Sequence, residues 1–144
     1  MKILRLAKSY MRQAGARVDD AEKALKEENY PYGVRLSQEA VELSLKASLR
    51  LVGIEYPKIH DVSSILKMVK DRFPDWFKDE VVFLVETSKN LSKKRGLSFY
   101  GIEVELLSPE DLITKDDAED AVIRAKKAVE LCEKLLKQYE RSYA

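Results

Sequence analysis

The chain has 144 residues, with 26 Lys and Arg against 25 Asp and Glu, a formal net charge of +1. At 45% apolar and 35% charged residues it lies outside the disordered and membrane-spanning classes, and its length suits one compact domain over residues 1–144. One Cys and one His exclude an internal disulfide framework and a zinc site built from thiolates and imidazoles, while the balanced charge argues against bulk nucleic-acid binding but permits a local basic patch.

The N-terminal stretch Met1 to Leu6 has no continuous apolar core, so no secretory signal is expected. No stretch approaches the roughly 20 apolar residues of a bilayer span. The expectation is a soluble, cytoplasmic protein with no membrane contact.

Apolar residues at Ile3, Ala7, Tyr10, Ala14, Val18, Ala21 and Leu25 recur in steps of three and four, so a helix is expected from Ile3 to about Glu28. Gly15 weakens it by about 1 kcal/mol relative to Ala, too little to break it. Asn29-Tyr30-Pro31 marks the break, since Pro suits the first turn of a following helix. That second helix, about Pro31 to Val52, carries one apolar stripe at Leu36, Ala40, Leu43, Ala47 and Leu51 and another at Val34, Val41, Leu45 and Val52. A helix apolar on two sides is central or meets a second subunit, and a homodimer is expected on this ground. Gly53 punctuates its end.

Ile54 to His60 reads as a loop, with Asp61 as N-cap of a short helix from Val62 to about Arg72. Phe73-Pro74 ends that helix, and Asp75 caps another from about Trp76 to Leu91. Ser92 to Ile113 is the least regular region, and loops of that length are often functional. Thr114 to Asp117 fits a capping box ahead of a last helix with Ala118, Ala121, Val122, Ala125, Ala128, Val129, Cys132, Leu135, Leu136 and Tyr139 on one face. The expected fold is all-α, an up-and-down bundle of about five helices.

The sequence has no phosphate-binding glycine loop, zinc-protease helix or nucleophile elbow, and no cofactor is expected. Cys132 falls on an apolar face and reads as a small hydrophobe. Asp116, Asp117, Glu119 and Asp120 complement the dipole of the last helix rather than forming a metal site. His60 is the one side chain suited to proton transfer near neutral pH; beside Asp61 it also reads as a loop anchor. Lys89, Lys93, Lys94 and Arg95 are followed closely by Phe99 and Tyr100, combining phosphate-seeking charge with stackable rings. Basic residues that complement a helix C-terminus would give the same pattern, and the two readings stand equal.

Three stretches resemble the HEPN domains, helical domains of prokaryotes and higher eukaryotes. Tyr32 to Ala47, with Ser37-Gln38, Ala40, Glu42, Leu45, Lys46 and Ala47, resembles the family's second helix. Gly53 through Pro57, His60, Asp61 and Val62 to Ile65-Leu66 resembles the following segment, and Asp117 to Ala128 the closing amphipathic helix. The resemblance implies a helical bundle that commonly dimerises and often pairs with a small nucleotidyltransferase. It also implies, for many members, a metal-independent RNase with an Arg-x(4–6)-His motif, often acting as a toxin. Arg95 matches that arginine, but Tyr100 stands where the histidine would fall at the shortest spacing, and no His follows His60. A phenol is a poor general base at neutral pH. The leading expectation is therefore a protein that binds a nucleotide or RNA, or docks a nucleotidyltransferase, through Lys89, Lys93, Lys94, Arg95 and Tyr100, without cleavage. The alternatives are an RNase with a rearranged site around Arg95, Tyr100 and His60, and a purely structural interaction module.

Overall fold

The computed structural model describes residues 2–143. Its long helices are α1 (Lys2–Lys26), α2 (Tyr30–Leu51), α5 (Val81–Tyr100) and α7 (Lys115–Ser142). Three short helices, α3 (Ser63–Met68), α4 (Asp75–Lys78) and α6 (Pro109–Leu112), and two single 3-10 turns, Lys70–Arg72 and Glu103–Glu105, connect them. The all-α expectation holds, the five anticipated helices resolving into seven α-helical segments. The extended pairing among the described residues is one isolated antiparallel bridge, Ile102 with Leu107.

The bundle is organised around α2, which packs against α1, α7 and α5. Leu36, Ala40, Ala47 and Leu51 from one stripe and Val34, Val41 and Leu45 from the other are all buried. Both stripes are thus covered by the chain's own helices, and the double stripe does not by itself call for a second subunit. Each fully buried Val or Leu contributes about 1.5–3 kcal/mol. Ser37, Ser44 and Ser48, all at 0% exposure, donate to the carbonyls of Gly33, Ala40 and Ser44 at 2.7, 2.8 and 2.9 Å. These short side chains bring the neighbouring helices close without leaving a buried hydroxyl unpaired.

Three helix ends follow the sequence signals. Pro31 lies in the first turn of α2. Gly53, at φ +77°, closes that helix: its amide donates to Arg50 and the Ile54 amide to Leu49, both at 3.0 Å. Thr114 and Asp117 form the reciprocal capping box of α7. Asp61 Oδ1 accepts the Ser63 amide at 2.9 Å and the Ser88 hydroxyl at 2.7 Å, tying the turn before α3 to α5, but the N-cap positions expected at Asp61 and Asp75 fall at Val62 and Pro74.

Two expectations are corrected. The helix anticipated from Trp76 to Leu91 is interrupted after Lys78, where a turn at Asp79-Glu80 lets both Phe77 and Val81 face the core. The region expected to be irregular from Ser92 is helical as far as Tyr100. Between Ser92 and Tyr100 the one fully buried residue is Ser98, a hydroxyl side chain, so the stretch carries no apolar repeat to announce its helix. The basic cluster accordingly sits on a helix.

After α5 the chain turns at Gly101 into a tight tip. Ile102 and Leu107 exchange backbone hydrogen bonds at 2.9 and 3.0 Å, and Ser108 and Asp111 cap α6 reciprocally. Gly101 has φ +68°, and a Cβ there would lie 2.0 Å from the Leu107 carbonyl oxygen. Gly101→Ala is therefore expected to lower unfolding free energy by about 1–3 kcal/mol, measured by denaturant titration; an unchanged midpoint would refute the constraint.

Candidate active site

The site is built on α2, whose buried surface is interrupted by one polar line, Gln38, Glu42 and Lys46, at successive turns. Gln38 is only 2% exposed and sits between two charged groups. Its Oε1 accepts from Arg95 Nη1, and its Nε2 donates to Glu42 Oε1 at 3.0 Å. A guanidinium only donates and a carboxylate only accepts, so this environment admits one amide orientation.

Glu42 joins the pieces. Oε1 also meets His60 Nδ1 at 3.0 Å, and Oε2 accepts Lys46 Nζ at 2.9 Å. Because the carboxylate cannot donate, Nδ1 carries the proton of that bond, and in the neutral ring Nε2 holds the lone pair. The imidazole itself is 60% exposed, on a loop whose next residue, Asp61, is held by Ser63 and Ser88. Arg17 from α1 completes the wall, its Nε donating to Glu39 at 3.0 Å.

Arg17, Glu39, Glu42, Leu43, His60 and Arg95 line a cleft of about 200 Å³. A second cleft, about 370 Å³, adjoins it across Glu42 and His60, with Lys46, Arg50, Lys58, Tyr10 and Tyr56 in its wall. The two clefts together present five Lys or Arg side chains against two carboxylates, a local excess of three positive charges on a chain whose net charge is +1. Beside Arg95, the Phe99 ring carries the Arg35 guanidinium at 4.5 Å and the Arg95 guanidinium at 5.1 Å, with Tyr32 on Arg35 at 4.7 Å.

The basic cluster does not act as one surface. Arg95 turns toward α2 and the cleft. Lys94 turns toward α7 and pairs with Asp117 at 3.3 Å; the Thr114 amide and then the Lys94 ammonium hold that carboxyl below the usual range. Lys93 is exposed, and Lys89 lines a different groove between α3 and α5. Tyr100 is 66% exposed and does not line the cleft. Cys132 is buried at 0% exposure, and burial pushes its thiol up to about 12, which removes it as a nucleophile near neutral pH. Among the described residues no three His, Cys, Asp or Glu side chains converge as a metal site, and no helix is long and apolar enough to cross a membrane.

Arg17, Glu39 and the roles of Gln38 and Glu42 escaped the sequence reading. The signal for the latter pair was present: polar residues four apart, flanked by apolar neighbours on a helix that is mostly buried. Arg17 offers no such signal, because its partner lies 22 residues away.

An all-helical bundle with a His and Arg joined through α2 defines a class, and the comparisons identify it. The HEPN domain profile matches residues 7–135; the chain belongs to the HEPN domain family. It is 29% identical over 139 residues to a Methanocaldococcus jannaschii protein described as a putative toxin, MJ1304, covering 94% of this chain and 91% of that protein. The crystal structure of ST0689, an archaeal HEPN homologue, superposes with a TM-score of 0.69 at 20% identity, covering 90% of this chain and 97% of that one. TT1696 from Thermus thermophilus gives 0.70 at 21% identity, with 89% and 96% covered. These two likenesses bear on the fold.

Asp61 supplies a prediction about the His60 loop. Burial pushes its pKa up, but hydrogen bonds from Ser63 and Ser88 and the nearby Lys89 charge outweigh this, and the pKa is lowered. A lowered folded-state pKa stabilises above the unfolded carboxyl value, about 3.9, and that contribution is lost as pH falls through the folded value. Asp61→Ala is expected to cost about 1–2 kcal/mol at pH 7, the difference from wild type shrinking below about pH 4. Denaturation at both pH values checks it; a pH-independent difference would contradict it.

Proposed function

We propose that the cleft is the active site of a metal-independent ribonuclease, with His60 as proton acceptor and Arg95 and Arg17 as the groups that bind and stabilise the phosphate. The observation that carries this reading is the line Arg95–Gln38–Glu42–His60, which joins the arginine of the family's nuclease motif to the chain's one histidine across 35 residues of sequence. This favours the rearranged nuclease over binding without cleavage, and it gives the histidine's task to His60, not to Tyr100.

The chemistry follows from the donor set. RNA offers a 2′-hydroxyl beside each phosphodiester. His60 Nε2 takes the hydroxyl proton, the 2′-oxygen attacks phosphorus, and the P–O5′ bond breaks to leave a 2′,3′-cyclic phosphate and a 5′-hydroxyl that takes its proton from solvent. Negative charge gathers on the nonbridging oxygens as phosphorus becomes five-coordinate, and the guanidinium of Arg95, fixed by Gln38, faces that charge with no reorganisation required. Glu42 orients His60 and stabilises the imidazolium, as a buried carboxylate does for a catalytic histidine in other hydrolytic sites. The second cleft, with Lys46, Arg50 and Lys58, suits a neighbouring phosphate of the same strand. The similarity to a protein described as a putative toxin is compatible with a toxin-type activity.

Single-stranded RNA incubated with purified protein in excess chelator is expected to yield fragments with 2′,3′-cyclic phosphate ends. His60→Ala and Arg95→Ala should each slow cleavage on the order of a hundredfold or more. Tyr100→Phe should leave it within about threefold, its hydroxyl lying outside the cleft. RNA that binds uncut, or cleavage that survives His60→Ala, would return the chain to a nucleotide-binding role.

A further inference from the structure

We infer that the second cleft sets the polarity of the bound strand: Arg50 and Lys58 hold the 5′-phosphate of the nucleotide whose 2′-hydroxyl His60 deprotonates. The direction of the strand rests on the nuclease reading of the cleft; the phosphate subsite does not.

Helix α2 acts as a ruler. Gln38, Glu42, Lys46 and Arg50 stand four residues apart, about 6 Å from one to the next along the helix axis. Arg95 is bound at the first of them and His60 at the second. Lys46 and Arg50, the third and fourth, line the cleft that contains His60 but not Arg95. The groups that meet RNA therefore fall in the order guanidinium, imidazole, cationic cleft.

An RNA strand has one matching order. The attacking 2′-hydroxyl belongs to the ribose on the 5′ side of the scissile phosphate. The next phosphate beyond that ribose is the one on its own 5′ carbon. With the scissile phosphate at Arg95 and the 2′-hydroxyl at His60, the 5′-phosphate is the group carried into the second cleft.

That cleft is equipped for an oxyanion. Its one carboxylate, Glu42, is neutralised by Lys46 at 2.9 Å. Arg50 lies over the Tyr56 ring at 4.8 Å, which sets the guanidinium against the wall, and Lys58 is exposed on the loop that carries His60. Arg50 Nε and the Tyr56 hydroxyl, both withdrawn from water, have no hydrogen-bond partner among the described residues. Burial raises the Tyr56 pKa and outweighs the opposing effect of Arg50, so the phenol keeps its proton and can donate. Two cations and two donors without an acceptor suit a group with several charged oxygens. A phosphate is such a group; a nucleobase brings no charge for Arg50 and Lys58 to meet.

Matched dinucleotides test the assignment. Wild-type protein is expected to cleave pApA with a kcat/KM on the order of tenfold or more above that of ApA. ApAp carries the same added charge at the other end and should be cut about as well as ApA. Arg50→Gln and Lys58→Gln should each bring the pApA-to-ApA ratio severalfold closer to one. Lys67→Gln, which removes a charge from the groove between α3 and α5, should leave the ratio intact. Each ratio compares two substrates on one protein, so a general loss of folding or activity cancels. The 2′-deoxy dinucleotides, which cannot be cut, give the same comparison as dissociation constants by calorimetry. There the 5′-phosphorylated form should bind tighter, by a margin that shrinks as salt rises. A preference for the 3′-phosphate, no preference, or one that survives both Arg50→Gln and Lys58→Gln would overturn the assignment. Deoxy ligands that show the 5′ preference through Arg50 and Lys58, while no RNA is cut, would uphold the phosphate subsite and sink the nuclease reading alone.

Discussion

One carboxylate, that of Glu42, links three elements of this molecule. It sits on the most buried helix, largely withdrawn from solvent, and receives Gln38, Lys46 and His60 from three directions. A carboxylate in that position is tolerable only when its lone pairs are filled. Filling them ties the otherwise exposed His60 loop to α2 and, through Gln38, ties the C-terminal half of α5 to the same point. The donor requirements of one buried anion therefore set the relative placement of an imidazole and a guanidinium that the chain keeps 35 positions apart.

That arrangement needs α2 to be central. Its Ser and Ala positions bring α1, α5 and α7 close enough for Arg17 and Arg95 to converge on one cleft beside it. The helix gives up most of its surface to packing, and what remains is the strip that carries Arg35, Glu39, Glu42, Lys46 and Arg50, with Gln38 buried behind it. Packing and function thus share one element with a division by face: hydroxyls and aliphatics hold the bundle, and a line of amide, carboxylate and ammonium faces the cleft.

The same division explains why four basic residues on α5 have separate partners. Successive helical positions point about 100° apart, so Lys94 and Arg95 address different neighbours, α7 and α2, while Lys89 and Lys93 look toward solvent. Aromatic side chains next to such a run invite a reading as a single nucleic-acid patch. In three dimensions only Arg95 joins the cleft, and Phe99 serves as the plate on which two guanidinium groups rest.

The sequence by itself determined the helical class, the central position of α2, the Pro31, Gly53 and Thr114–Asp117 boundaries, the inert burial of Cys132 and the family. Each rests on periodicity, backbone stereochemistry or short-range hydrogen bonding, all written in neighbouring residues. It did not reveal that α5 runs on to Tyr100, because beyond Leu91 only Ser98 is fully buried and packing against α2 and α7 supplies what hydrophobic contrast lacks. Nor did it reveal that His60 shares a cleft with Arg95 while Tyr100 does not. That outcome depends on the His60 loop reaching Glu42 on α2 while α5 reaches the adjacent Gln38, and the geometry of such a meeting is set by tertiary packing, which no local pattern encodes.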